Sequence, residues 1–167
     1  MSETHDYSEI EQARLEKLAR LRQQGIDPFP PRVERSHTTA EAIQAFEAAE
    51  KRKKAKAVKA TLVGRIRSIR LMGKIVFAHV EDGFGRLQLF LRADTLGEEK
   101  MALFRDYFDL GDFVQASGEL FRTKAGEVSL NVSDFRMIAK ALTPLPAAKD
   151  EEVDGEVVRH ATLSDPE

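Results

Sequence analysis

The sequence contains no cysteine. That excludes disulfides, a thiolate nucleophile and a cysteine-based zinc site, and it fits a cytoplasmic location. No apolar run approaches the roughly 20 residues of a membrane span, so no membrane partner is expected. The opening stretch MSETHDYSEIEQ is acidic and polar, unlike a secretory signal. The histidines, His5, His37, His79 and His160, are scattered without metal-ligand spacing, and no metal site is expected. DGFG at 82–85 lacks the Lys and Ser/Thr of a phosphate-binding loop and reads as a hairpin turn. No Ser–His–Asp arrangement or carboxylate pair stands out, so no catalytic residue is assigned. Internal repeats and low-complexity arrays are absent.

A net charge of −2 argues at first against a nucleic-acid binder. The distribution argues the other way. Residues 149–167 carry seven acidic side chains against Lys149 and Arg159, leaving +3 on residues 1–148. Within these, KRKKAKAVK at 51–59 has six basic residues and no acid. The positive charge is local, and an acidic tail hides it in the sum.

Ser8 and Glu11 have the spacing of a capping box, followed by Leu15, Leu18 and Leu21 at helical intervals. Gly25 and the prolines at 28, 30 and 31 end that helix. A second box, Thr38 and Glu41, starts a helix expected to run to about Ala57, with the basic run in its last turns, where cations complement the helix dipole. From Ala60 the pattern becomes β. TLVGRIRSIRL reads as a long strand with Gly64 as its bending or bulge point. Lys74–Asp82 and Arg86–Ala93 form a hairpin, GEEKMALFRDYF a short helix, and DFVQASGELFR and EVSLNVSDFRMI two further strands. Three strands, a helix and two strands, with a bent first strand, give a mainly β fold, a five-stranded Greek-key OB-fold barrel preceded by α-helices. The expected division is a helical extension over 1–59, the barrel over 60–140 and a linker over 141–167.

The hairpin alternates on both sides of its turn. Val76, Ala78, Val80, Leu87, Leu89 and Leu91 form one face, Phe77, His79, Arg86, Gln88 and Phe90 the other. The aliphatic set suits a barrel interior. The second set suits the outer face that OB-folds use for oligonucleotides. There Phe77 and Phe90 are stacking platforms, and His79, Arg86 and Gln88 can address phosphates and base edges. The alternative is that Phe90 or Phe77 packs under the N-terminal helices as a second core. On the last strand Glu127, Ser129 and Asn131 share one face, so Glu127 either accepts from a base N–H or is a solvated strand residue. The basic run, with Lys53, Lys54 and Lys56, is either a phosphate contact or a solvated helix end.

From about Arg14 onward the chain resembles the N-terminal part of class II lysyl-tRNA synthetases. The resemblance is carried by KLARLRQQGIDPFP (17–30), RSHTTAEAI (35–43), GRIRSIRLMGKIVFAHVEDGFGRLQLF (64–90), LGDFVQASGELFRTKAGEVSL (110–130) and KALTPLP (140–146). The patterns R-x-MGK-x-x-F and TK-x-GE-x-S separate lysyl from aspartyl and asparaginyl enzymes. The resemblance implies an OB-fold anticodon-binding domain, with anticodon readers at Arg70, Phe77, Gln88 and Glu127. The ring would stack on the central uracil, and Gln88 and Glu127 would bond its edge. Arg70 shares that surface if the first strand bulges or coils between Arg67 and Met72. The family continues into a catalytic domain that uses ATP and Mg²⁺, whereas this chain ends at RHATLSDPE. It is therefore expected to be an anticodon-binding fragment that uses no cofactor itself. The implied partner is the tRNA(Lys) anticodon stem-loop, and the implied parent is a homodimer. The rivals are a stand-alone, sequence-tolerant single-strand binder and an interaction scaffold without RNA function.

Overall fold

The structure, a computed structural model, describes residues 6–52 and 56–145 and the backbone of 148–153 and 156–161. Its elements in chain order are α1 (Glu9–Gln23), α2 (Thr39–Glu50), β1 (Lys59–Met72), β2 (Ile75–Glu81), β3 (Arg86–Arg92), α3 (Ala93–Leu96), α4 (Glu98–Tyr107), β4 (Phe113–Arg122), β5 (Val128–Ala139), β6 (Ala148–Val153) and β7 (Glu156–Ala161). The first five strands close in a ring in the order β1-β2-β3-β5-β4, with β4 pairing back to β1. All pairs are antiparallel except β3 with β5. This is the five-stranded OB-fold ring with helices ahead of it.

Period-two alternation explains the interior. Leu62 and Ile66 of β1, Val76, Ala78 and Val80 of β2, Leu87, Leu89 and Leu91 of β3, and Leu130 and Val132 of β5 are all buried in one cluster. Helix α4 adds Met101 and Phe104 to it, and Phe108 follows just past its end. Phe104 meets Phe135 of β5 edge-on with ring centroids 5.5 Å apart, an arrangement that the ring quadrupoles favour.

Both capping boxes form. Ser8 accepts from the Glu11 N–H and Thr38 from the Glu41 N–H, and each Glu reaches back to the cap. Gly25 takes φ 73°, a left-handed conformation open to glycine at no steric cost. Helix α2 is fastened to the β2–β3 turn by Asp82, whose carboxylate accepts from Thr39 N and Oγ1, Phe84 N and Gly85 N at 2.8–3.0 Å. Helix α1 is fastened by an ionic cluster. Lys140 Nζ donates to Asp109 Oδ2 and Asp112 Oδ2, both at 2.7 Å, and Lys17 Nζ of α1 donates to Asp109 Oδ1 at 2.7 Å. The Lys140 and Asp112 side chains are fully buried. Arg14 of α1 completes the attachment through the carbonyls of Ala141 and Leu110.

Four details depart from the sequence expectations. Helix α2 stops at Glu50, not near Ala57. Past Glu50 there is no apolar stripe left to bury, and Lys51/Lys54 and Arg52/Lys56 would stack like charges one turn apart. The bulge in β1 lies between Ile66 and Ser68, leaving Arg67 without a β2 partner, rather than at Gly64. Gly64 instead marks a close approach, because a Cβ there would lie 3.0 Å from the Glu81 carbonyl oxygen. Ala93, read as the end of a strand, begins the one-turn helix α3. The segment read as a linker carries a separate antiparallel pair, β6–β7.

Candidate functional site

The β1 bulge decides which side chains share the outer face. Before it, Arg65 pairs with Glu81 and Ile66 with Val80. After it, Ser68 pairs with His79, Ile69 with Ala78, and Arg70 with Phe77. The extra residue shifts the phase of the strand, so Ser68 and Arg70 point outward beside His79 and Phe77 while Ile69 packs toward the core. Were the same residues paired without the bulge, Arg70 would face inward.

Two adjacent rungs of outward residues result. The first runs Arg70, Phe77, Phe90 and Asn131 across β1, β2, β3 and β5. The rings of Phe77 and Phe90 are 5.0 Å apart and tilted by 41°. Phe90 lies 5.5 Å from Phe121 of β4. The Arg70 guanidinium stands 5.0 Å from the Phe77 ring centre, and that of Arg92 stands 5.8 Å from Phe90. Phe77 and Phe90 are both partly exposed. Phe90 therefore belongs to an aromatic row on the strands, between Phe77 and Phe121.

The second rung runs Ser68, His79, Gln88, Ser129 and Phe121. Here the polar groups are joined. His79 Nδ1 lies 2.9 Å from Ser68 Oγ, and His79 Nε2 lies 2.7 Å from Glu127 Oε1. Ser129 Oγ donates to Gln88 Oε1 at 2.9 Å. Glu127 precedes β5 in a turn closed by Thr123 N–H to Glu127 O (2.9 Å) and Glu127 N–H to Thr123 Oγ1 (3.1 Å). Its side chain is 46% exposed, whereas Gln88 is only 5% exposed although it faces outward by register. Among the described residues, Glu127 Oε2 and Gln88 Nε2 have no partner. The rung thus ends in one free acceptor and one free amide donor beside an aromatic row.

Arg70, Phe77, Gln88, Glu127, His79 and Phe90 converge on this surface. Arg86 sits at its margin, paired with Glu81 at 3.1 Å. Asn131 is on it as well, and its Oδ1 is buried without a partner among the described residues. Lys53 and Lys54 lie outside the described residues. Lys56 is exposed and lines a groove with Arg52, Phe46, Phe121 and Arg122, which brings the end of the basic run beside the aromatic row. Sequence reasoning missed Ser68, Phe121 and Arg92, and it set Ser129 on this face without giving it a role. The alternation of β4 carries the signal for Phe121. Ser68 had none, because only the bulge turns it outward.

Residues 60–138 match the family described as OB-fold nucleic acid binding domain, of the tRNA anticodon type. The chain is 48% identical over 142 residues to a lysine–tRNA ligase of Chloroflexus aurantiacus, covering 84% of this chain and 28% of that protein. It is 44% identical over 141 residues to that of Roseiflexus castenholzii, covering 84% of this chain and 28% of the relative. It is 36% identical over 149 residues to that of Thermotoga maritima, covering 87% and 30%. The chain therefore spans less than a third of the length of these relatives.

Proposed function

We propose, from the match of residues 60–138 to the OB-fold nucleic acid binding domain family and the likeness to lysine–tRNA ligases, that the chain is the tRNA anticodon-binding part of such a ligase and reads a central uracil. The observation that carries the proposal is the convergence of Arg70, Phe77, Gln88 and Glu127 on one outer surface, with free hydrogen-bonding capacity beside partly exposed rings.

The chemistry divides between the two rungs. A base stacks on the Phe77 ring, which Arg70 covers in the free protein. Stacking accepts any base, because every base has a π-face. Discrimination comes from the second rung. Uracil offers an N3–H donor flanked by carbonyl acceptors. Ionised Glu127 is acceptor-only, so its free oxygen takes the N3–H, and the Gln88 amide donates to a carbonyl. Cytosine has an unprotonated N3, which would face the carboxylate with no proton between them. An unpaired polar group in a closed site costs about 1–3 kcal/mol, which favours uracil by roughly ten- to a hundredfold. Arg52 and Lys56, in the groove beside Phe121, are placed to meet phosphates of the same strand.

The partner proposed is the tRNA(Lys) anticodon stem-loop. The complete ligase would be a cytoplasmic homodimer that joins lysine to tRNA with ATP and Mg²⁺. That chemistry belongs to the length of such a ligase that this chain does not span.

The test is a binding series at fixed salt with RNA anticodon stem-loops that differ only at the central base. Central U is expected to bind at least tenfold tighter than central C, and Glu127→Ala to narrow the ratio. Equal affinity for the two loops would leave a sequence-tolerant single-strand binder.

A further inference from the structure

His79 is the one member of the outer surface whose two ring nitrogens are both engaged by side chains of other strands or turns. It lies on β2 between Ser68 of β1 and Glu127 of the β4–β5 turn. Ser68 is 11 positions away on the neighbouring strand, turned outward by the bulge, and Glu127 is 48 positions away, brought in by the ring closure. Its side chain is 26% exposed, less than that of Glu127. The serine hydroxyl can donate to Nδ1 or accept from it. Either the Nε2–H neutral form or the doubly protonated ring therefore donates to Glu127 Oε1.

From this geometry we propose that His79 is a positioning residue for base discrimination. It occupies Oε1 of Glu127 and so presents Oε2 alone to the bound base. The inference rests on the uracil reading of the site and goes one step deeper, since it names what orients the discriminating carboxylate.

The physical argument concerns order before binding. A glutamate side chain with three rotatable bonds, half exposed at a turn, samples several conformations unless something holds it. The bonds that Thr123 makes to the Glu127 backbone, one through its N–H and one through its hydroxyl, fix the turn but not the carboxylate. The bond to His79 supplies that hold, and Ser68 in turn fixes the plane of the imidazole. A group ordered in the free protein does not have to be ordered on binding. The charged groups around His79 on this surface include Glu127, which it bonds, Arg70 over the neighbouring Phe77 ring, and the Arg86–Glu81 pair, which is already closed on itself. The imidazole is thus the sole side-chain donor to Glu127 among the described residues.

The same bond excludes another role for His79. With both nitrogens engaged within the protein, the ring has no free donor or acceptor for a phosphate or a base edge. The likeness of Ser68–His79–Glu127 to a hydrolytic triad is one of residue types only. The serine is bonded to Nδ1 and the carboxylate to Nε2.

The experiment uses the whole chain with central-U and central-C anticodon stem-loops and compares the parent, His79→Ala, His79→Gln, Glu127→Ala and the double variant His79→Ala/Glu127→Ala. Thermal melts are run alongside to confirm folding. His79→Ala is expected to weaken central-U binding by roughly three- to tenfold, the size of one ordered side chain, and to narrow the U/C ratio by a similar factor. His79→Gln keeps an N–H donor toward Glu127 and should restore most of the ratio, which a merely structural role would not do. In the Glu127→Ala background His79→Ala should cost nothing further. A discriminating parent whose His79→Ala variant keeps its U/C ratio overturns this proposal and leaves the uracil reading standing. An increase in central-U affinity in His79→Ala also overturns it, because His79 would then be masking Glu127. A parent that binds both loops equally overturns the uracil reading, and this proposal with it.

Discussion

The Asp109–Asp112–Lys140 cluster and the Ser68–His79–Glu127 cluster each set carboxylate oxygens against a side-chain nitrogen, and they differ in what they leave unused. In the first, Asp112 Oδ1 accepts from Ala141 N–H, Oδ2 accepts from Asp109 N–H and Lys140, and both oxygens of Asp109 take lysine ammonium groups. Lys140 is fully buried. In the second, Glu127 keeps one oxygen without a partner among the described residues, Gln88 keeps its amide N–H groups, and the carboxylate is half exposed. A charged cluster with every valence closed holds the fold together. One with valences left open at the surface is arranged for something that arrives from outside.

The largest effect should come from breaking the closed cluster. Lys140→Met leaves two carboxylates facing each other without their shared cation, one of them fully buried. Burial already raises the Asp112 carboxyl above its ordinary value despite the hydrogen bond from Lys140. Removing one partner of a buried ion pair costs about 3–5 kcal/mol, read as a shift in the urea midpoint. Adding Asp112→Asn should recover part of the loss by removing the stranded charge. A Lys140→Met variant as stable as the parent would mean that the cluster is not what fastens α1 to the barrel.

Phe77→Ala tests the other side of the contrast. Loss of one base–aromatic stack should cost about 1–3 kcal/mol in stem-loop affinity. The ring also meets Phe90, so folding should weaken by about 1 kcal/mol, the worth of an aromatic pair. Affinity is expected to fall by more than stability. If the melting temperature collapses while the folded fraction binds normally, the rings are core and the contrast fails.

Asp82 is an intermediate case, a satisfied carboxylate near the surface, and should give the smallest effect. Burial alone would raise its pKa. Hydrogen bonds from Thr39, Phe84 and Gly85 outweigh burial and hold the carboxyl below its ordinary value. A depressed folded pKa gives stability that is present above the unfolded aspartate value, near about 4. That stability is lost as pH falls through the lower folded value. Asp82→Asn should therefore be about 1 kcal/mol less stable than the parent at pH 7, and the two should converge in acid. Thermal melts across that range check it, and a constant gap at every pH would contradict the assignment.

The contrast also separates what could be read in the chain from what could not. Alternation placed Phe77, Gln88 and Phe90 outward and the aliphatic residues of β2 and β3 inward, because a strand's period is local. The capping boxes at Ser8 and Thr38 were legible for the same reason. Partners were not. Glu127 was read as a base acceptor or a solvated residue, and its bond to His79, across 48 positions, depends on ring closure. Lys140 and Asp112 look like ordinary surface residues until β5 and the β4 approach bring them together. The end of α2 was misjudged because alanines and lysines favour helix locally. The energy that stops the helix lies in like-charge crowding and in the absence of any apolar stripe beyond Ala49. Arg70 could be placed by resemblance, but only the bulge supplies the physical reason.

That bulge makes β1 unlike the segments around it in how it tolerates change. A surface loop can gain or lose a residue and still connect the same two ends. In β1 the spacing between Ile66 and Arg70 is itself information: four positions apart, the two residues face opposite ways only because the strand bulges between them. The same residues paired without the bulge would carry Arg70 toward the oily interior and bring Ile69 out beside Phe77. The strand can vary in composition at many positions, but between these two residues its length and its bulge can change only together.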